Sequence, residues 1–122
     1  MKKMIFALVL VVIMVVLGGC SGTRFDGTRT GNDSQLIIEY KALNRTDSQL
    51  LDLQEGDILD FVVASSSGKV DILVQKDGNN PIYEGTDVPT SSFAVEVEEA
   101  GSYTVSVTGD HARGGVSITK RV

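Results

Sequence analysis

The chain has no tryptophan, two prolines, one histidine and one cysteine among its 122 residues. Each shortage removes a class of chemistry. A lone cysteine, Cys20, closes no disulfide within the chain, so a folded domain must be held by an ordinary apolar core. A lone histidine, His111, supplies neither a histidine pair for zinc nor a second imidazole for a proton relay. It lies in the glycine-rich residues 109–115 and reads as a solvated loop residue. Serine is plentiful, but no Gly-x-Ser-x-Gly elbow precedes a helical pattern, and a serine nucleophile needs a positioned base within hydrogen-bond reach. Ser65, Ser66 and Ser67 read as polar turn residues. Beyond residue 20 no apolar stripe of period 3.6 persists for three turns, which excludes a helical domain. No enzymatic activity and no cofactor are expected.

What the chain does have begins at its N-terminus. Lys2 and Lys3 precede an unbroken apolar run, residues 4–17, that ends in Leu17-Gly18-Gly19-Cys20. As a helix the run spans about 21 Å, short of the roughly 30 Å core that a permanent spanning helix crosses. A positive start, a short apolar stretch and a small-residue cleavage site form the signal-peptide pattern. Leu17-Gly18-Gly19-Cys20 resembles the lipobox of bacterial lipoproteins. That resemblance implies that the Cys20 thiol receives a diacylglycerol and becomes the mature N-terminus after cleavage. Residues 1–19 are then a signal-peptide helix, and the mature chain sits on the extracytoplasmic face of the cell membrane with membrane lipid as its partner through acylated Cys20. A buried methylene contributes about 0.8 kcal/mol, so two or three acyl chains anchor durably where one does not.

Residues 20–34 read as the lipidated cysteine and a polar tether with little to bury, although partial alternation over residues 23–30 leaves an edge strand open there. Residues 35–122 read as the folded domain. Of the 11 basic residues, Lys2 and Lys3 leave with the signal, so nine face 16 acidic ones, a formal charge of −7. That balance argues against nucleic acid as a partner and against binding an anionic lipid surface by charge.

Period-two alternation recurs along the domain. Phe93, Val95 and Val97 alternate with small or charged residues, as do Tyr103, Val105 and Val107, then Val116 and Ile118. Val70, Ile72 and Val74 form another apolar row, and Leu36, Ile38 and Tyr40 a less regular one. These are half-buried strands with one wet face. Residues 58–64 are nearly continuously apolar apart from Asp60 and predict a more enclosed strand, while residues 50–53 predict a short one. Turn-forming clusters at residues 55–57, 65–68, 77–81, 84–87, 99–101 and 109–115 separate them. The expectation is an all-β fold, an antiparallel jelly-roll-like β-sandwich of about seven to eight strands.

Three stretches carry a family resemblance: Leu53-Gln54-Glu55-Gly56-Asp57-Ile58; Gly68-Lys69-Val70-Asp71-Ile72-Leu73-Val74; and residues 93–101 followed by Ser102-Tyr103-Thr104-Val105-Ser106-Val107-Thr108-Gly109. Over roughly residues 51–119 they resemble the bacterial pre-peptidase C-terminal domain and the Golgi-dynamics domain. The order of lipobox, tether and single sandwich resembles small bacterial lipoproteins. The resemblance implies a sandwich acting as an accessory or interaction module, and it carries over no catalytic residue.

Candidate ligand-binding residues are few. Asp57, Asp60, Asp77, Asp87 and Asp110, with Asn79 and Asn80, supply oxygen ligands of the kind calcium favours, but no spacing matches a twelve-residue calcium loop. Asp77-Gly78-Asn79-Asn80 suits a hairpin turn. Of the tyrosines, Tyr103 lies on the inward row, whereas Tyr83 stands beside a turn and is the best candidate for an exposed ring. The candidate ligand site is therefore Tyr83, Asp77, Asn79 and Asp87. The functional expectation is a non-enzymatic binding or accessory module with an envelope protein or glycan partner. The alternative is a small-ligand module recognising glycan or calcium.

Overall fold

A computed structural model describes residues 24–121, which form seven strands: β1 (Arg24–Asn32), β2 (Gln35–Asn44), β3 (Thr46–Leu53), β4 (Ile58–Lys76), β5 (Pro81–Gly85), β6 (Ser91–Glu96) and β7 (Gly101–Lys120). All pairings are antiparallel. The signal-peptide helix expected over residues 1–19 lies outside the described residues.

Two strands organise the others. Residues 58–65 of β4 pair with β6 and with residues 114–120 of β7, and that stretch of β7 also pairs with β2, which carries β1. Residues 69–76 of β4 pair with residues 103–110 of β7, flanked by β3 on one side and β5 on the other. The ladder folds over on itself into a five-strand layer, β1-β2-β7-β4-β6, and a four-strand layer, β3-β7-β4-β5, that share β4 and β7. Strands that pass between layers through bulges are how such corners are made. The result is the all-β antiparallel sandwich expected, with seven strands.

The corner corrects two turns expected from the sequence. Residues 65–68 and 109–115 do not end strands; they are the bends of β4 and β7, lying against each other, with register shifts around Ser67. Gly114 has φ 143° and Gly68 φ 72°. A Cβ on Gly114 would run into the Ala64 carbonyl oxygen, and one on Gly68 into the His111 carbonyl. Glycine is needed because two backbones cross where a side chain would stand. His111 itself has φ 51°, and its N–H donates to the Asn44 side-chain oxygen at 3.0 Å.

The rows read from alternation face inward. Leu36, Ile38, Val70, Ile72, Val74, Val105, Val107, Val116 and Ile118 are all buried, as is Tyr103, whose hydroxyl donates to the Glu99 carbonyl at 2.6 Å. Residues 58–64 differ from expectation. Leu59, Phe61 and Val63 point into the core, but Val62 is 52% exposed on the outer face, so the segment has one wet side.

The tether expected over residues 20–34 is also corrected, since Arg24–Asn32 is a strand, the alternative that alternation had left open. β1 is exposed along nearly its whole length and is held by its backbone ladder to β2, by Phe25, which is half-buried against the core, and by Arg29. Arg29 Nε donates to Asp47 Oδ1 at 2.8 Å, and Arg29 Nη2 to the Ser48 carbonyl at 2.8 Å and to Gln49 Oε1 at 3.0 Å. This contact joins the edge strands β1 and β3 and closes one side of the sandwich. Asp47 is buried, so removing its partner leaves a carboxylate without its counter-charge. Arg29→Ala is expected to cost about 2 kcal/mol, less than a fully buried pair because Arg29 is partly solvated. Chemical denaturation checks it, and a loss within about 0.5 kcal/mol, the range of ordinary surface changes, would show that β1 is held by its ladder and Phe25 without Arg29.

The opposite side, between β5 and β6, is closed by rings. Phe61 stacks on Phe93 with centroids 4.7 Å apart, and Tyr83 tilts against both, at 5.1 Å from Phe61 and 5.0 Å from Phe93. Val88, in the β5–β6 connection, is buried beside them, its N–H donating to the Val70 carbonyl at 2.8 Å.

Candidate functional site

The four residues expected to form a ligand site are not brought together. Tyr83 is half-buried in the ring cluster, where burial pushes its phenol above the usual value, so it is no exposed platform. Asp77 and Asn79 lie in the β4–β5 turn. The Asn79 N–H donates to the Lys76 carbonyl at 3.0 Å, and its carbonyl accepts from Gln75 Nε2 at 2.7 Å. Asp87 lies beyond the other end of β5, where its N–H donates to Asp71 Oδ1 at 2.8 Å. The five residues of β5 separate the two turns by about 15 Å. Among the described residues no group of three or more His, Cys, Asp and Glu stands where it could hold a metal ion. His111 is an exposed side chain whose Nδ1 lies 2.7 Å from Asp110 Oδ1. Cys20 lies outside the described residues.

Asn79 does contribute to a cavity of about 570 Å³, between the β4–β5 turn and the β6–β7 connection, lined also by Lys76, Ile82, Glu98, Glu99 and Tyr103. Lys76 Nζ lies 3.5 Å from Glu99 Oε2 across it. Asn79, Glu98 and Glu99 are exposed and screened, Lys76 is half-exposed, and its one aromatic side chain, Tyr103, is a core residue.

A depression that sequence reading did not find lies on the outer face of the five-strand layer. Gly27, Thr28, Glu39, Tyr40, Lys41, Ala64, Gly114 and Gly115 line a groove of about 400 Å³. A neighbouring depression of about 140 Å³ shares Glu39, Ala64 and Gly115 with it and adds Ile37, Val62 and Ser117. The register explains the shape. Tyr40 pairs with Gly27 on one side and Gly114 on the other, and Glu39 lies between Thr28 and Gly115. Three of these four strands, β1, β4 and β7, thus place glycine or alanine at the groove, and between them β2 contributes Glu39, Tyr40 and Lys41. Glu39 and Lys41 are exposed at the rim, and Val62 supplies an exposed apolar wall. Tyr40 is buried beneath; its hydroxyl finds no hydrogen-bond partner among the described residues, and burial pushes its phenol above the usual value. The sequence signal was Gly114-Gly115, two successive glycines inside a strand. Read as turn residues, they hid the flat surface they create.

The groove can take an extended, weakly polar segment against apolar and backbone surface, with one charge of each sign at its rim. It offers no nucleophile paired with a base. Nor does it offer a flat exposed ring, because Tyr40 and Tyr103 are buried and Tyr83 belongs to the ring cluster.

No family model matches the chain, and no curated protein matches it. Solved structures do. The pre-peptidase C-terminal domain of collagenase from Bacillus anthracis is similar at 15% identity over 75% of this chain and 91% of that one, with a TM-score of 0.50. Aeromonas hydrophila PliG, a periplasmic lysozyme inhibitor of g-type lysozyme, is similar at 11% identity over 80% and 88%, with a TM-score of 0.47. A carbohydrate-binding module from Cellvibrio mixtus lichenase 5A, in complex with cellotriose, is similar at 17% identity over 84% and 89%, with a TM-score of 0.43. At these identities the likeness is one of fold, and it includes the pre-peptidase C-terminal type that residues 51–119 resemble.

Proposed function

We propose that this chain is a lipid-anchored, extracytoplasmic, non-enzymatic binding module whose partner is an envelope protein, received on the outer face of the five-strand layer. The observation that carries this reading is the groove lined by Gly27, Ala64, Gly114 and Gly115. Small or absent side chains at Gly27, Ala64, Gly114 and Gly115 let another chain approach the backbone closely there, and Val62 adds exposed apolar area beside them. A sugar would be recognised chiefly by stacking on a flat exposed ring, which this groove lacks. The lipid anchor at Cys20 rests on the signal pattern of residues 1–20.

Site-specific photocrosslinking tests it. A photoreactive residue at Val62 or Ala64 is expected to yield one discrete adduct with an envelope protein in intact cells. The same residue at Leu50 or Thr104, exposed or half-exposed on the opposite layer, should yield none. Absence of adducts at Val62 and Ala64, or equal adducts from both layers, would remove the groove as the binding surface.

A further inference from the structure

We propose that β6 is a strand-addition site, whose unpaired edge receives an extended, basic segment of a partner protein as a further strand of the five-strand layer. This contact is on the side of the sandwich, separate from the groove on its outer face. Backbone, apolar side chains and charge each lead to it.

β6 pairs only with β4. The Val97 N–H donates to the Asp57 carbonyl at 2.8 Å, and the ladder runs back from there to Ser91 without a register shift, so successive residues turn their backbone groups to opposite sides. Phe93 and Val95 face β4. Ser92, Ala94 and Glu96 turn theirs outward, and among the described residues nothing pairs with those N–H and C=O groups. The Ile58 carbonyl agrees: it accepts from the Arg121 N–H at 2.8 Å, on the side of β4 away from β6, so Ile58 opposes Glu96 without bonding it. The other three edges are blunted. β1 has a register shift at Asp26/Gly27, and β5 starts at Pro81 with a shift at Val74/Gln75. On β3, Arg29 Nη2 holds the Ser48 carbonyl and the Asp52 N–H donates to the Asp33 carbonyl at 2.8 Å. β6 has neither proline nor bulge.

The apolar surface on this side is unfinished. Of the five apolar side chains only partly buried against the core, four, Ile82, Tyr83, Phe93 and Val95, lie on β5 and β6. Tyr83 and Phe93 meet between the layers, and alternate residues of a strand laid along β6 would cover Phe93 and Val95 from the inner side, as cross-strand neighbours do. Charge selects the occupant. Residues 77–100, which hold β5, β6 and their connections, contain Asp77, Glu84, Asp87, Glu96, Glu98 and Glu99 and no lysine, arginine or histidine. All six acids are exposed. Beyond residue 20 the rest of the chain has ten acidic residues against nine basic ones, so nearly all of the formal charge of −7 comes from this segment. Bases on the strands packed against it are already matched. Lys76 lies 3.5 Å from Glu99, Lys120 3.8 Å from Asp57 and Arg121 2.6 Å from Asp60, while Lys69 stands beside Asp110 in the register. Asp71 adds a further acid next to Asp87. A second copy of this chain would set these acids against their own kind, so the occupant carries basic side chains outward and apolar ones inward.

Amide hydrogen exchange, read residue by residue on the full chain in a neutral detergent, tests this with an alternating Lys-Val peptide blocked at both ends. At a peptide concentration about ten times its Kd, the Ser92, Ala94 and Glu96 amides should exchange about tenfold more slowly. The Phe93 and Val95 amides, already bonded to β4, should not change, nor should those of β1. The same peptide N-methylated throughout, which cannot pair as a strand, should protect nothing, and neither should a Glu-Val peptide. A Glu96→Lys, Glu98→Lys variant with an unchanged melting temperature should bind the Lys-Val peptide about fivefold or more weakly. Protection absent from the three outward amides, shared equally with β1, or given as well by the N-methylated or Glu-Val peptide overturns the proposal. Protection of the same amides that grows with protein concentration in the absence of peptide would assign the edge to a second copy and overturn it likewise.

Discussion

Val105→Asp is expected to abolish cooperative folding. Val105 is 0% exposed, at a position where β7 is paired to β3 on one side and β4 on the other, opposite Gln49 and Val74. The substitution removes a buried apolar side chain and sets a carboxylate among Val74, Tyr103 and Val107 with no basic group on the inner face to receive it. The usual escape, holding the carboxyl neutral, still leaves an unsatisfied hydroxyl in an apolar layer. The combined cost exceeds about 4 kcal/mol, against the 5 to 15 kcal/mol total that is usual for a domain. Calorimetry should show no cooperative transition, or one lowered by more than about 15 °C. A melting temperature within about one degree of wild type would mean that the inner and outer faces of β7 are inverted, since a slip of one residue exchanges them.

Phe61→Ala is expected to lose about 3 to 5 kcal/mol. Phe61 is 1% exposed and is the ring against which both Phe93 and Tyr83 pack. Its loss opens a cavity on the β5–β6 side, where no backbone ladder joins the two layers, so relaxation there admits water. Spectrophotometric titration adds a local readout. Burial holds the Tyr83 phenol above the usual tyrosine value, and the variant should bring it back down. The sign carries to stability: a phenol raised in the folded state stabilises fully below the ordinary value near pH 10 and loses that contribution as pH rises through its own. Wild type should therefore lose stability on the alkaline side more steeply than the variant. A loss under about 1 kcal/mol with an unmoved Tyr83 titration would show that the rings do not close that side.

Much of the layer structure was legible because it rests on alternation. The rows at Val70, Ile72 and Val74, at Tyr103, Val105 and Val107, and at Val116 and Ile118 needed only the two-residue period of a pleated strand to be assigned inward. β1 was hidden for the complementary reason. All its residues but Phe25 are exposed, so hydropathy carries little signal, and what holds it is backbone pairing, Phe25 against the core, and Arg29 reaching Asp47, eighteen residues away. The corner was misread because glycine marks positive φ and close approach, and a chain turning back and a strand bending between layers both need them. Tyr83 beside its turn gave no hint that Phe61 and Phe93 would meet it, since those rings are brought there by β4 and β6. The groove is of the same kind: Gly27, Ala64 and Gly115 are far apart in the chain and brought to one groove only through register.

The position of β7 in the chain sets when the domain can form. It pairs with β2, β3 and β4, and without it β3 has no ladder partner, while β1-β2 and β5-β4-β6 remain separate fragments. It is also the last strand among the described residues, so a chain threaded N-terminus first through an export channel would have nothing to complete these layers until residues 101–120 had crossed. Long-range pairing of this kind forms slowly because loop closure comes before the contacts that reward it. On the proposed reading of the chain as exported and lipid-anchored, assembly is deferred to the far side of the membrane, beside the bilayer on which Cys20 would be held.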